Sequence, residues 1–204
     1  MAVLWADIHP LILPDVPGCP TPTVDTALAA AAAEFCGRSH VWREELDPDV
    51  VVANVPDYTV SPSFANTVTE SVLWANLDEK PLEHIDARYL DKSRLLDTGT
   101  PKAFWMVNDT DIRLFPIPDS RGTLTAAIAI KPTRVATGVE DWIYESYIDT
   151  IVSGAIWRLA RTPGKAWSNP EIAMYHHRMF EQGIVSARVR DHRNVSLRVA
   201  QRGF

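Results

Sequence analysis

The spacing of apolar residues changes twice along this chain of 204 residues. Helical spacing covers residues 23–42 and returns from Val139 onward. Between these segments, from Tyr58 to Pro132, the apolar residues form short β-like runs separated by turn residues. This order predicts an α+β fold, in which a small antiparallel β-module is inserted into a helical bundle of about three helices.

The N-terminal part combines a proline-rich segment with an alanine-rich helix. Residues 9–22 contain five prolines and predict an extended arm. Pro22 and Thr23 mark the start of the helix that follows. Its apolar face is expected to carry Leu28, Ala31, Phe35, Ser39 and Trp42. The run Ala29–Ala33 lets another helix approach closely, either in the core of the same chain or on a second subunit.

Four runs in the middle third predict strands. They are the segment around Val68, Val72 and Leu73, then Phe104–Val107, Ile112–Phe115 and Thr123–Ile130. Asn108–Asp111 and Pro118–Gly122 are rich in turn residues and predict hairpin connections.

Two further helices are expected after the β-module. The stripe of the first comprises Tyr144, Tyr147, Ile148, Ile151, Ala155 and Leu159. Gly154 within it indicates close packing, and Pro163–Gly164 ends the helix. The second begins at Ser168–Glu171, either as a capping box or with Asn169 as the cap, and continues through Ala173, His176, Phe180 and Ile184. The predicted divisions are an N-terminal arm and helix (1–45), the β-module (46–135), a helical hairpin that completes the helical domain (136–187) and an extended C-terminal arm (188–204).

The segment Ile184–Phe204 differs in charge from the rest of the chain. It holds five arginines and one acid, so it carries +4, whereas the whole chain carries −6 and residues 1–183 carry −10. Within it, apolar residues alternate with polar or small ones, which predicts a strand with one apolar face. Such an arm suggests a binding partner; the alternative is a frayed terminus. The candidate binding residues are Arg188, Arg190, Arg193, Val195, Leu197, Arg198, Val199, Arg202 and Phe204.

The sequence shows no familiar catalytic or metal-binding motif. It lacks a glycine-rich phosphate loop, an HExxH and a GxSxG. The adjacent His176 and His177 would point about 100° apart on a helix and cannot share a metal as i, i+4 ligands would. Cys19 and Cys36 lie outside any CxxC and are expected to be free thiols. We therefore expect no catalytic residue, metal or cofactor, no signal peptide and no membrane span. An enzyme with an unfamiliar site is the alternative.

Several segments, taken in chain order, carry a resemblance to a known family. They are Pro17–Pro20, Glu34–Ser39 with Trp42, Pro56–Val60, Ile112–Asp119, Ser153–Leu159, Pro163–Pro170, Tyr175–Phe180 and Ala187–Arg188. In order and spacing they resemble the head-to-tail adaptor, or connector, proteins of short-tailed bacteriophages.

The resemblance implies a structural protein of the virion neck, assembled in the host cytoplasm. Such adaptors form a ring, commonly of twelve copies, between the portal protein of the capsid and the tail nozzle protein. They extend the channel through which viral DNA passes without sequence-specific binding, and an acidic wall would suit this passage because it repels the duplex. The resemblance also implies that a C-terminal arm, here 188–204, grips the portal.

Other interpretations remain open at this stage. A different neck component, such as a head-completion or tail-terminator protein, would share much of this pattern. A nucleic-acid-binding protein could use the basic tail, but aromatic residues would then be expected among the arginines, and the tail has only Phe204. For contacts between copies, the candidates are the alanine-rich helix and the hairpin 140–187.

Overall fold

The computed structural model describes the backbone of residues 2–89 and 95–201 and the side chains of residues 2–88 and 95–190. The chain divides into two compact units. One consists of Met1–Val41 with Lys131–Phe204, and the other is Trp42–Ile130. The first is mainly helical and the second is built from strands, so the predicted α+β class is confirmed.

The helical unit is assembled from the two ends of the chain. Its helices are α1 (Trp5–Ile12), α2 (Thr21–Ser39), α3 (Asp141–Ala160) and α4 (Pro170–Gln201). Strand β1 (Ala2–Leu4) pairs antiparallel with β13 (Gly138–Glu140). Helix α3 packs against both α2 and α4 and is therefore the central helix of this unit.

The prediction of an extended segment over residues 9–22 is wrong for its first part, because α1 continues to Ile12 and includes Pro10. Burial explains why this proline is tolerated. Trp5 and Ile12 are buried, and the Trp5 indole N–H donates a hydrogen bond of 2.6 Å to the carbonyl oxygen of Ala136. These contacts offset the one backbone hydrogen bond that a proline removes from a helix.

The alanine-rich face of α2 lies in the core of the chain. Ala31 and Phe35 are fully buried, and α2 packs against α3. At Gly154 a Cβ atom would lie 3.1 Å from the Ala31 Cβ and 2.7 Å from two ring carbons of Phe180. The close packing expected at Gly154 is confirmed. The alanine-rich face of α2 is thus buried against α3 of the same chain, and its interpretation as a subunit surface is wrong.

The β unit contains eleven strands among the described residues. They are β2 (Arg43–Glu45), β3 (Asp49–Val51), β4 (Asp57–Thr59), β5 (Thr67–Leu77), β6 (Lys80–Pro81), β7 (Glu83–His84), β8 (Thr98–Gly99), β9 (Ala103–Met106), β10 (Asp111–Phe115), β11 (Ile117–Pro118) and β12 (Gly122–Pro132). One sheet has the order β2-β12-β5-β6, with β3 also paired to β12, and a second has the order β4-β10-β9-β7. Pairs β7–β9 and β8–β11 are parallel. Pairs β4–β10, β9–β10, β2–β12, β3–β12 and β5–β6 are antiparallel.

One of the two predicted hairpins is present. Asn108–Asp111 joins the antiparallel strands β9 and β10, and the Asn108 side-chain oxygen accepts hydrogen bonds of 2.8 Å from the backbone N–H groups of Thr110 and Asp111. The hairpin predicted at Pro118–Gly122 is wrong, because β11 pairs with β8 while β12 pairs with β2, β3 and β5. The turn residues reverse the chain there, but the partners of the long strand β12 come from elsewhere in the β unit.

The extended C-terminal arm is also corrected by the structure. Helix α4 runs from Pro170 to Gln201, so Val195, Leu197 and Val199 lie on helical backbone and form no strand. A strand needs a partner for its backbone N–H and C=O groups, whereas a continuing helix satisfies them within itself. The side chains of these three residues lie outside the described part of the chain.

Candidate functional site: the C-terminal helical hairpin

The start of α4 is fixed by local contacts. Gly164 has a φ of +71° in the turn after α3, a conformation that glycine adopts without strain. The Asn169 side-chain oxygen then accepts hydrogen bonds from the backbone N–H groups of Glu171 (3.0 Å) and Ile172 (3.2 Å). Asn169 is therefore the cap and Pro170 is the first helical residue, which settles the two alternatives from the sequence.

Two glycines show how closely α3 and α4 pack and in which register. Gly154 on α3 faces the Phe180 ring, and a Cβ atom at Gly183 on α4 would lie 2.3 Å from the Thr150 hydroxyl oxygen. These pairs run in opposite directions along the two helices, so the hairpin is antiparallel. The backbone N–H of Asn169 donates to the carbonyl oxygen of Ala160 (2.9 Å) and fixes the same register at the turn.

An aromatic and cationic cluster joins the two helices near the turn. The ring of Trp157 lies 4.4 Å from the His177 ring and 6.1 Å from the Phe180 ring, measured between centroids. The guanidinium groups of Arg158 and Arg161 lie 4.9 Å and 4.6 Å from the Trp157 centroid. Such cation–π contacts favour a fixed position for both arginine side chains.

A chain of ion pairs connects α2 to both helices of the hairpin. Arg38 donates two hydrogen bonds of 2.6 Å to the Glu181 carboxylate and one of 2.9 Å to Glu34, which also pairs with Arg158. The bond from Arg38 lowers the pKa of Glu181, while burial lowers the pKa of Arg158. The network holds the three helices in one arrangement, so the direction in which α4 leaves the bundle is fixed.

The register shows where α4 passes the end of α3. Thr150 lies opposite Gly183; nine residues before Thr150 is Asp141, the first residue of α3, and nine residues after Gly183 is position 192. Helix α4 continues for nine more residues to Gln201. At a rise of 1.5 Å per residue, this extension measures about 14 Å.

The apolar stripe of α4 ends before this extension begins. Its buried residues are Ala173, Phe180, Ile184 and Ala187. At the same helical spacing the sequence continues with Asp191, Asn194 and Arg198, which are polar or charged. The stripe that packs on α3 therefore does not continue into the last nine residues of the helix.

The outward side of the described part of α4 mixes apolar and basic residues. Its large exposed apolar side chains are Met174, Tyr175, Met179, Val185 and Val189. Arg188 and Arg190 are exposed beside the last two of these. A mixed surface of this kind is typical of protein–protein contacts that form after folding.

The predicted binding residues fall into three groups. Arg188 and Arg190 are exposed on α4. Five more lie on α4 backbone, with side chains outside the described part: Arg193, Val195, Leu197, Arg198 and Val199. Arg202 and Phe204 lie outside the described residues altogether.

The histidines of α4 have structural surroundings. His176 lies 3.7 Å from an Asp15 carboxylate oxygen, and burial lowers its pKa, while the His177 ring contacts Trp157 at an interplanar angle of 36°. Within residues 2–88 and 95–190, no group of three or more His, Cys, Asp or Glu side chains could hold a metal ion. Among the described helices, none combines the length and apolar character needed to span a membrane.

A comparison with protein-family models identifies the family of the chain. The model of the SU10 adaptor protein matches residues 5–202, which include both units and α4 as far as the structure follows it. The chain belongs to the SU10 adaptor protein family. SU10 is a short-tailed phage, so the resemblance to adaptors of such phages is confirmed, and this family member is a structural adaptor of the phage neck. No curated protein matches the chain.

One surface of the hairpin was not identified from the sequence. Glu145 and Asp149 lie exposed on α3, near the exposed Trp142. Their spacing on a predicted helix was the signal that could have revealed this face, since residues three and four apart are neighbours on a helix.

Proposed function

We propose that this SU10 adaptor family member is a head-to-tail adaptor, which forms a ring between the portal protein of the capsid and the tail nozzle protein. The ring extends the channel through which viral DNA leaves the capsid. Each copy grips the portal with the end of α4. Family membership supports the adaptor role, and the extension of α4 beyond α3 supports the grip.

The extension carries this proposal because of its length and charge. It begins after position 192, measures about 14 Å in the helical conformation, and has lost the apolar stripe that packs on α3. Arg193 and Arg198 lie on it, and Arg202 follows it directly. Arginine pairs with carboxylates through two parallel hydrogen bonds, so this segment is suited to an acidic groove on the portal.

A ring of identical copies needs two different patches on each copy, one for each neighbour. Twelve copies, the number common among such adaptors, would match a twelvefold portal. Residues 1–183 carry a net charge of −10. A channel wall of this sign repels the phosphate backbone and lets DNA pass without sequence-specific contact.

The central experiment compares variants of the three arginines in a portal pull-down. Replacing Arg193, Arg198 and Arg202 together by Ala should remove portal binding and leave the fold intact. Each charge-assisted hydrogen bond contributes about 1.5–3 kcal/mol, so the loss of three weakens binding by at least about a thousandfold. The matched control replaces the exposed Arg121, Arg134 and Arg178 by Ala, which removes the same charge elsewhere.

Replacement of the same three arginines by Lys separates the portal from other partners. Lysine keeps the charge but loses the two-pronged contact, so portal binding should recover only in part. If the segment bound DNA instead, Lys would serve nearly as well and binding to any duplex would fall steeply with salt. Unchanged portal binding by the Ala variant would refute the proposed grip. Binding to a tail tube rather than the portal would identify a tail terminator.

A further inference from the structure

An acidic face on α3 lies exposed on the surface of the hairpin. Trp142, Glu145 and Asp149 are spaced three and four residues apart and therefore lie along one side of the helix. The Trp142 side chain is 40% exposed and adds an apolar surface to this face. Ser146 is exposed beside Glu145.

A basic face with an apolar centre lies on α4. Val185 and Val189 are one helical turn apart and 58% and 47% exposed. Arg188 is exposed beside both valines, three residues after Val185, whereas the exposed Arg190 points about 200° away from Arg188 around the helix and lies outside this face. Among the residues whose side chains the structure describes, no ion pair engages Glu145, Asp149, Arg188 or Arg190.

The two faces lie at the same level along the hairpin. Thr150 and Gly183 lie opposite each other, and the two helices run in opposite directions. Counting equal numbers of residues from this pair, backwards along α3 and forwards along α4, places Glu145 level with Arg188 and Asp149 level with Ile184. Rotation about a ring axis carries one copy to the next without a shift along that axis. Surfaces that meet in a closed ring must therefore lie at equal height. A hairpin that lies along the ring axis meets this condition for the two faces.

We propose that the acidic face of α3 in one copy binds the basic face of α4 in the next copy. Glu145 and Asp149 would pair with Arg188, and Trp142 would cover the exposed valines. The occupant is a second copy of this chain because the two faces are complementary in charge and equal in height, and because they differ from each other as a head-to-tail ring requires. This inference rests on the proposed ring and assigns Arg188 to the neighbouring copy rather than to the portal.

Cysteine cross-linking tests the contact directly. Ser146→Cys and Ser186→Cys alter exposed residues on the two faces, and the natural Cys19 and Cys36 are buried. Under mild oxidation on the portal, a chain with both substitutions should give a ladder of cross-linked species beyond the dimer. A mixture of the two single variants should give dimers only, and each single variant alone should give monomers.

Other cross-linking patterns would overturn the proposal. Double-variant chains that stop at the dimer would show a closed two-fold contact. Double-variant chains that stay monomeric would show that the faces do not meet between copies, and dimers from one single variant alone would show that like faces meet.

Charge reversal provides an independent test with its own control. Variant one replaces Glu145 and Asp149 by Arg, and variant two replaces Arg188 by Glu. Each alone brings like charges together at every contact, so the yield of ring on the portal should fall about tenfold or more. In an equal mixture of the two variants, a ring in which they alternate has opposite charges at every contact. The mixture should therefore recover the yield of ring. Failure to recover would overturn the proposed pairing.

A pull-down with tagged portal, followed by the same cross-linking, distinguishes this inference from the proposed function. Tagged portal that retains protein without cross-linked ladders would refute the contact between copies and leave the adaptor role intact. Absence of portal binding, together with ladders in concentrated protein alone, would refute the portal grip and support the contact.

Discussion

Replacement of Gly154 by Ala tests the tight packing at the centre of the helical unit. The added Cβ atom would lie 2.7 Å from two ring carbons of Phe180 and 3.1 Å from the Ala31 Cβ. Carbon atoms normally approach to about 3.5–4.0 Å, and the fully buried Phe180 ring has little room to move. Alanine alone would stabilise the helix by about 1 kcal/mol relative to glycine. Overpacking costs about 1–3 kcal/mol, so the net loss in free energy of unfolding should be about 1 kcal/mol.

The assay is denaturation followed by circular dichroism, in which the melting temperature should fall by about 2–4 °C. Ser186→Ala is the matched control, because this exposed helical site gains propensity without a clash. In a Phe180→Leu background the cost of Gly154→Ala should shrink by at least about 0.5 kcal/mol, since the ring is then gone. The packing argument would be refuted if Gly154→Ala stabilised the protein by the full amount expected from helix propensity.

Three further predictions follow from single contacts. Asn169→Ala should lower the free energy of unfolding by about 1 kcal/mol in a denaturant titration, whereas Asn169→Asp, which can still cap the helix, should not. Burial raises the pKa of Cys36 to about 12 from 9.0, so native protein at pH 8 should show about a thousandfold slower reaction of this thiol with a disulfide reagent than unfolded protein does. The bond from Arg38 lowers the pKa of Glu181 in the folded state, so its stabilisation is present above the unfolded pKa of about 4.3 and is lost as pH falls below it. Glu181→Gln should therefore lose less stability than the natural chain in acid-denaturation curves between about pH 5 and 3.

The helical hairpin could be predicted because its signals are local. The Pro163–Gly164 turn and the Asn169 cap each act within a few residues, and the structure retains both. The helix α1 was missed because Pro10 normally disfavours a helix, while the burial that compensates for it depends on Trp5 and residues more than a hundred positions away.

Strand partners and the C-terminal conformation needed more than local pattern. The turn residues at Pro118–Gly122 predict where the chain reverses, but they do not predict that β11 pairs with β8. The alternation of Val195, Leu197 and Val199 favours a strand only where a neighbouring strand exists, and α4 continues there instead. The basic character of the candidate site was visible from composition, whereas the complementary acidic face on α3 depended on knowing which side of that helix is exposed.

The β unit begins and ends at neighbouring points of the chain. Its first and last residues, Trp42 and Ile130, are neighbours, because the backbone N–H of Ile130 donates a hydrogen bond of 2.9 Å to the carbonyl oxygen of Trp42. A segment whose two ends meet in this way can be exchanged as a cassette, since any replacement needs only to start and finish at the same two points. Exchange of residues 42–130 for another folded segment therefore requires no change in the rest of the sequence.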